Sequence, residues 1–167
     1  MPNAELFFDQ FDSQVGMISV LAGPPGVRRV GWRLKPDGAS MEPDETVQQA
    51  LGQLREYFAG QRREFALTLD LPPLEEVTDA VLRTLAETVG YGETITYGEL
   101  AKRSGTSVPA RAIGSIMAAN PVPIIIPCHR VVASDGLGGY SGGEPGRGIA
   151  TKRWLLENEG ALPPGLW

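Results

Sequence analysis

Cysteine and histidine each occur once among 167 residues, and they are neighbours, Cys128 and His129. A thiol reacts as its thiolate, and with a free pKa of about 8.5 it needs a base or a positive charge beside it to ionise at neutral pH. His129 is the single imidazole available. Consecutive residues of an extended chain point to opposite sides, so cooperation between the two requires a bend at this point or a bridging water. An imidazole acting as a base also wants a carboxylate to orient it, and Glu157 and Glu159, at or just after the last helix, are the candidates. The competing reading makes Cys128 an inert buried thiol and the glutamates solvated surface charges. The adjacency of the only histidine favours the reactive one. A single cysteine excludes an internal disulfide, and zinc sites built from several cysteines or histidines are excluded with it.

The elements that must position this pair follow from the pattern around it. Ile124-Ile125-Ile126 is a β-branched run that must be buried, and it delivers the chain through Pro127 to Cys128, His129 and Arg130, with Val131 and Val132 continuing apolar. A glycine-rich loop through Gly138, Gly139, Gly142, Gly143, Gly146 and Gly148 comes next. It precedes an amphipathic helix over 150–157 with Trp154, Leu155 and Leu156 as its apolar residues. Upstream, residues 77–89 carry Val77, Val81, Leu82 and Leu85 at helical spacing and stop before Gly90-Tyr91-Gly92. A second helix is predicted from Thr96 or Tyr97 to about Arg103, a tight turn at Ser104-Gly105-Thr106, and a third helix from about Pro109 to Ala119. Helix, glycine turn, helix is the shape of a helix-turn-helix. Ala110, Ala112, Gly114, Ser115, Ala118 and Ala119 make the third helix thin, with Arg111 as one long cationic reach. The same small residues would also suit close helix packing.

The first half has a different texture. Residues 16–22 and 27–34 are β-rich runs separated by Gly23-Pro24-Pro25-Gly26, which predicts two paired strands and a turn. Val47, Leu51, Leu54, Tyr57 and Phe58 form one side of a helix that Gly60 stops. Phe65, Leu67 and Leu69 alternate as in a half-buried strand. Leu71-Pro72-Pro73-Leu74 reads as a linker, so the domains are expected at 1–76 and 77–167. The net charge of −5 lies entirely in the first half, where 7 bases face 12 acids, while 8 and 8 balance in the second. The second half can therefore meet a polyanion although the chain as a whole is acidic. No apolar run approaches the roughly 20 residues of a membrane span, and residues 1–15 are acidic rather than signal-like, so no membrane partner and a cytoplasmic address are expected.

Residues 120–132, NPVPIIIPCHRVV, with Arg111-Ala112-Ile113-Gly114 before them and Tyr140-Ser141-Gly142-Gly143 after, resemble the O6-alkylguanine-DNA alkyltransferases, also called methylated-DNA-protein-cysteine methyltransferases. The likeness continues through Thr96-Tyr97-Gly98-Glu99-Leu100-Ala101 and through residues 154–160, WLLENEG. It extends less sharply to residues 53–60, QLREYFAG, and so covers most of the chain.

The resemblance implies an α+β protein with a small ribonuclease H-like N-terminal α/β half. Its helical C-terminal half would carry a winged-helix-like helix-turn-helix and the active cysteine. It implies a suicide repair protein that flips an O6-alkylated guanine, and by extension an O4-alkylated thymine, out of duplex DNA and moves the alkyl group onto Cys128. By the same likeness His129 deprotonates Cys128 through a water and Glu159 orients His129. Arg111 fills the gap in the base stack, and Tyr97 turns the phosphate and meets the lesion. Asn120 ties the helix-turn-helix to the active segment. Ala112, Gly114, Ser115 and Arg130 join the DNA-binding set, and Met117, Pro123, Val131, Tyr140 and Ser141 the substrate pocket, with the carbonyls of Cys128 and Val131 accepting the guanine amine. The alkyl donor is the lesion itself, so no cofactor and no metal are expected. The protein would act as a monomer on duplex DNA containing alkylated bases, with cooperative binding along the DNA compatible with that state.

Two departures stand out. The family's Phe, Gln and Trp pattern on the helix before the glycine turn is here Val77, Ala80 and Arg83, and the loop at Glu144-Pro145-Gly146-Arg147-Gly148 is longer than the family pattern. Three rival functions compete. A module that only recognises lesions would lack the acceptor cysteine, a methylation-switched regulator would need an added sensor domain, and a thiol hydrolase draws its Cys and His from distant parts of the chain.

Overall fold

Residues 5–162 are described by the structure, a computed structural model. The chain forms two compact units, Met1–Pro72 and Pro73–Trp167. The division lies between the two prolines rather than at 76/77, because Glu76 already opens a helix.

In the first unit β1 (Phe7–Ser13), β2 (Gly16–Gly23) and β3 (Gly26–Trp32) form an antiparallel sheet in the order β1-β2-β3. Val20 stands opposite Val30, and Phe8 opposite Leu21. Helix α1 (Glu45–Phe58) starts at Asp44, whose carboxylate accepts the Val47 N–H at 3.0 Å. It buries Val47, Leu51, Leu54 and Tyr57, packing against all three strands, and each such side chain removed from water stabilises by about 1.5–3 kcal/mol.

Two expectations change here. Strand β1 was not foreseen, because Asp9, Gln10 and Asp12 interrupt its apolar residues; β2 pairs with it along its whole length, and Ser40 bridges its other side at Phe7, accepting the Phe8 N–H at 2.9 Å. Conversely, Phe65 to Leu69 is not a strand. The Gln53 amide brackets Ala66, donating to its carbonyl at 3.1 Å and accepting its N–H at 2.9 Å, and only Leu69 bridges to Val27. A side chain satisfies backbone groups that a sheet ladder would otherwise occupy.

The second unit contains α2 (Glu76–Thr88), β4 (Ile95–Thr96), α3 (Tyr97–Arg103), α4 (Ile113–Ala118), β5 (Val131–Val132) and α5 (Gly148–Asn158). Thr96 caps α3 by accepting the Glu99 N–H at 3.2 Å, and α3 ends at Ser104 before Gly105, whose φ of 70° a side chain would strain. The third helix is shorter than expected. Ala110–Ala112 form a 3-10 turn, and the α-helix proper spans six residues. Leu100, Ile113, Ile116 and Met117 are buried where α3, α4 and α2 pack together. Strands β4 and β5 pair in parallel, Ile95 with Val131 and Thr96 with Val132. This two-stranded pairing was not foreseen. It brings the first residue of α3, Tyr97, beside the segment that leaves Cys128.

Candidate active site

Ile124 and Ile126 are buried and Ile125 is half-buried, but the run is not extended. Ile124 has a φ of 76°, a strained conformation for a β-branched residue, and Val122 to Ile126 close a tight loop through an Ile126 N–H to Val122 carbonyl bond of 2.9 Å. Asn120 braces both ends, accepting the Val122 N–H at 3.0 Å and donating Nδ2 to the Ile126 carbonyl at 2.8 Å. The loop leads through Pro127 into a 3-10 turn, Cys128–Arg130. The chain therefore bends at the Cys-His pair, which is one of the two arrangements the sequence required.

Cys128 forms part of a pocket of about 300 Å3 together with Tyr97, Gly114, Met117, Gly139, Tyr140 and Ser141. Burial pushes its thiol up, while hydrogen bonding from Asn120, the charge of Lys152 and hydrogen bonding from Tyr140 oppose that rise. His129 is fully buried, and its Nε2 lies 2.7 Å from Glu159 Oε2. Burial holds its pKa below 6.5 against the opposing pull of Glu159, so the ring is neutral at pH 7. A carboxylate only accepts, hence Nε2 carries the proton and donates it to Glu159, which leaves the Nδ1 lone pair as the base. Nδ1 is buried and has no hydrogen-bond partner among the described residues.

Of the two candidate glutamates, Glu159 is the one used; Glu157 is half-exposed. Burial alone would raise the Glu159 carboxyl, but hydrogen bonds and charge from His129 and Arg130 prevail and hold it at about 2. Arg130 Nε donates to Oε1 at 2.8 Å, Nη2 to Oε2 at 3.2 Å and Nη1 to the Val89 carbonyl at 2.8 Å. That corrects one expectation. Arg130 is buried with its guanidinium committed to Glu159 and Val89, so it cannot serve as a DNA contact.

The other expected residues divide clearly. Tyr97, Met117, Tyr140 and Ser141 line the pocket, and the Tyr97 hydroxyl reaches the Gly139 carbonyl at 3.5 Å. Gly138, with a φ of 72°, leaves no room for a Cβ, which would lie 2.7 Å from that hydroxyl. Pro123 and Val131 are not in the lining: Pro123 is buried in the Asn120-braced loop, and Val131 is buried in β5. Arg111, Gly114, Ser115, Ala118 and Ala119 are exposed together, with Ala112 half-exposed, so these small residues do not serve close packing within the unit. Sequence reasoning missed Lys152. It is fully buried in α5 and donates Nζ to the carbonyls of Val131 at 2.6 Å and Gly139 at 2.9 Å. The signal was present, since Lys152 and Glu159 flank Leu155 and Leu156 on one helical stripe at i, i+3, i+4 and i+7.

Fold and site together define a class: a helix-turn-helix unit whose lone thiol lines a pocket and is followed by a histidine held by a buried carboxylate. The family described as 6-O-methylguanine DNA methyltransferase, DNA binding domain, matches residues 76–161. A Methylated-DNA--protein-cysteine methyltransferase of Mus musculus is 42% identical over 156 residues, 87% of this chain and 62% of that protein. One of Methanosarcina acetivorans is 34% identical over 162 residues, 93% of this chain and 99% of that protein. The crystal structure of Mycobacterium tuberculosis OGT in complex with DNA superposes with a TM-score of 0.78 at 36% identity, covering 93% of each chain. The chain belongs to the methylated-DNA--protein-cysteine methyltransferase family.

Proposed function

We propose that this protein repairs duplex DNA by moving the alkyl group of O6-alkylguanine irreversibly onto Cys128. The observation that carries the reading is the buried relay beside the pocket: a neutral His129 fixed by Glu159, its free Nδ1 in the residue next to the thiol. The Nδ1 lone pair takes the thiol proton through a water, and Glu159 stabilises the imidazolium that results. The sulfur then attacks the alkyl carbon. An S–C bond forms, the C–O6 bond breaks, and its electron pair leaves on guanine, which a proton from Tyr97 neutralises. Nothing returns the thioether to the thiol, so each molecule acts once.

The target base must leave the stack to reach a buried sulfur, at a cost of a few kcal/mol. Arg111, on the thin exposed face of Gly114, Ser115 and Ala118, is suited to occupy the gap, and slender backbone suits a minor groove about 6 Å wide. Ala112 belongs to this face, and Met117, Tyr140 and Ser141 shape the pocket around the lesion. O4-alkylthymine offers the same alkyl-oxygen bond. The first unit is a ribonuclease H-like scaffold and the second a winged-helix-like DNA reader, acting as a cytoplasmic monomer; among the described residues no helix is long and apolar enough to cross a membrane.

A Cys128→Ser variant tests the acceptor directly. It is expected to bind methylated duplex as tightly as the parent while acquiring no labelled methyl group. Residual labelling would place the acceptor elsewhere.

A further inference from the structure

Lys152 sits where few lysines do, with no solvent exposure and its ammonium held by two backbone carbonyls. Those carbonyls come from two different segments. Val131 directly follows the Cys128–Arg130 turn, and Gly139 belongs to the glycine-rich loop that carries Tyr140 and Ser141 into the pocket. The ammonium also lies 5.9 Å from the centre of the Tyr97 ring. One side chain from α5 thus touches the strand leaving the nucleophile, the loop opposite it and the aromatic at the start of α3.

An apolar residue would fill this space without the desolvation cost of a buried cation. The charge is therefore retained at an expense, and it opposes the rise that burial imposes on the Cys128 thiol. The titratable and charged groups around that thiol are Lys152 from α5, Tyr140 from the loop, and His129 with Glu159 and Arg130 behind it; Tyr97 faces Lys152 from α3. Glu159 is neutralised by Arg130, while the His129 imidazole beside it is neutral. Lys152 is left as the cation that opposes thiolate charge.

We propose that Lys152 is a positioning residue for Cys128: its ammonium ties the Gly139 loop to Val131 and gives the Cys128 thiolate its counter-charge. Burial lowers the Lys152 pKa to about 8, with Cys128 pulling it back up, so the cation is present at pH 7 and fades above pH 8. This rests on Cys128 being the reactive group, but its test does not need DNA.

Iodoacetamide reactivity of the only cysteine, followed against pH, reports thiolate formation in the parent, Lys152→Met and Lys152→Gln. Glutamine keeps amide donors for the two carbonyls and lacks the charge. The thiol titration is expected to move up by about one pH unit in both variants, an about tenfold fall in reactivity at pH 7. Lys152→Arg, which keeps the charge, is expected to stay near the parent. Transfer from free O6-benzylguanine should fall further in the methionine variant than in the glutamine one, because only methionine releases the loop. A parent-like titration in Lys152→Gln, with circular dichroism showing it folded, would overturn the electrostatic role, and that variant decides the matter if Lys152→Met fails to fold. Failure of the parent to take a methyl group from methylated duplex would instead count against the repair function and leave the titration result standing.

Discussion

The two units of this protein bury different things. Among the described residues of the first, the buried polar ones are Ser19 and Gln53, both uncharged and both serving backbone: Ser19 Oγ accepts the Leu34 N–H at 3.1 Å, and Gln53 brackets Ala66. In the second they include His129, Arg130, Lys152 and Glu159, four ionisable groups taken out of water within one short turn, one helix and its cap. Burying ions costs free energy that apolar residues would not. Spending it in one place, around the only thiol, separates a unit built for stability from a unit that gives up stability for chemistry.

Substitutions on either side should sharpen that contrast. The largest effect is expected from Glu159→Gln, which strands the Arg130 guanidinium and removes the charge that stabilises protonated His129. Transfer should fall about 100-fold or more, and stability in urea should drop by about 3 kcal/mol or more. A Glu159→Gln protein that transfers at the parental rate would contradict the relay. Arg111→Ala comes next, with loss on duplex about tenfold greater than on free O6-benzylguanine, since flipping is required only in duplex. Equal loss on both substrates would remove Arg111 from that role.

Acidification should separate the units as well. Glu159, held at about 2 against an ordinary 4.5, contributes stability that is complete above pH 4.5 and lost as the pH falls toward 2. Buried neutral His129 adds to the same slope from pH 6.5 downward, because the unfolded chain takes up a proton there that the folded one refuses. Hydrogen exchange against pH should therefore show protection failing in the second unit before the first. The smallest effect belongs to Gln53→Ala, expected to cost about 1–3 kcal/mol by freeing the Ala66 backbone groups. Its transfer per folded molecule should match the parent, and a changed transfer rate would blur the division of labour.

Much of this was legible in the residues. Cys128 beside His129 announced the chemistry, Thr96 and Gly105 the limits of α3, and Gly23-Pro24-Pro25-Gly26 the hairpin, because each rests on local rules of reactivity, capping and turn geometry. What escaped was decided by partners distant in sequence. The fate of Phe65 to Leu69 depended on Gln53, the pairing of β4 with β5 joined segments some 36 residues apart in sequence, and Arg130 looked like a DNA contact until its carboxylate 29 residues away came into view. Lys152 hid for a different reason. A lysine in an amphipathic helix ordinarily marks the wet face, and the stripe it shares with Leu155, Leu156 and Glu159 is one that charge normally avoids.

The central claim is that Cys128 is a stoichiometric alkyl acceptor. Incubation with duplex carrying a single O6-methylguanine, followed by intact mass measurement and peptide mapping, tests it most directly. A gain of one methyl group, about 14 Da, on the Cys128 peptide that stops at one equivalent is expected, as covalent capture without turnover requires. Tight binding of the lesion with no gain in mass, or a gain on another peptide, would contradict it.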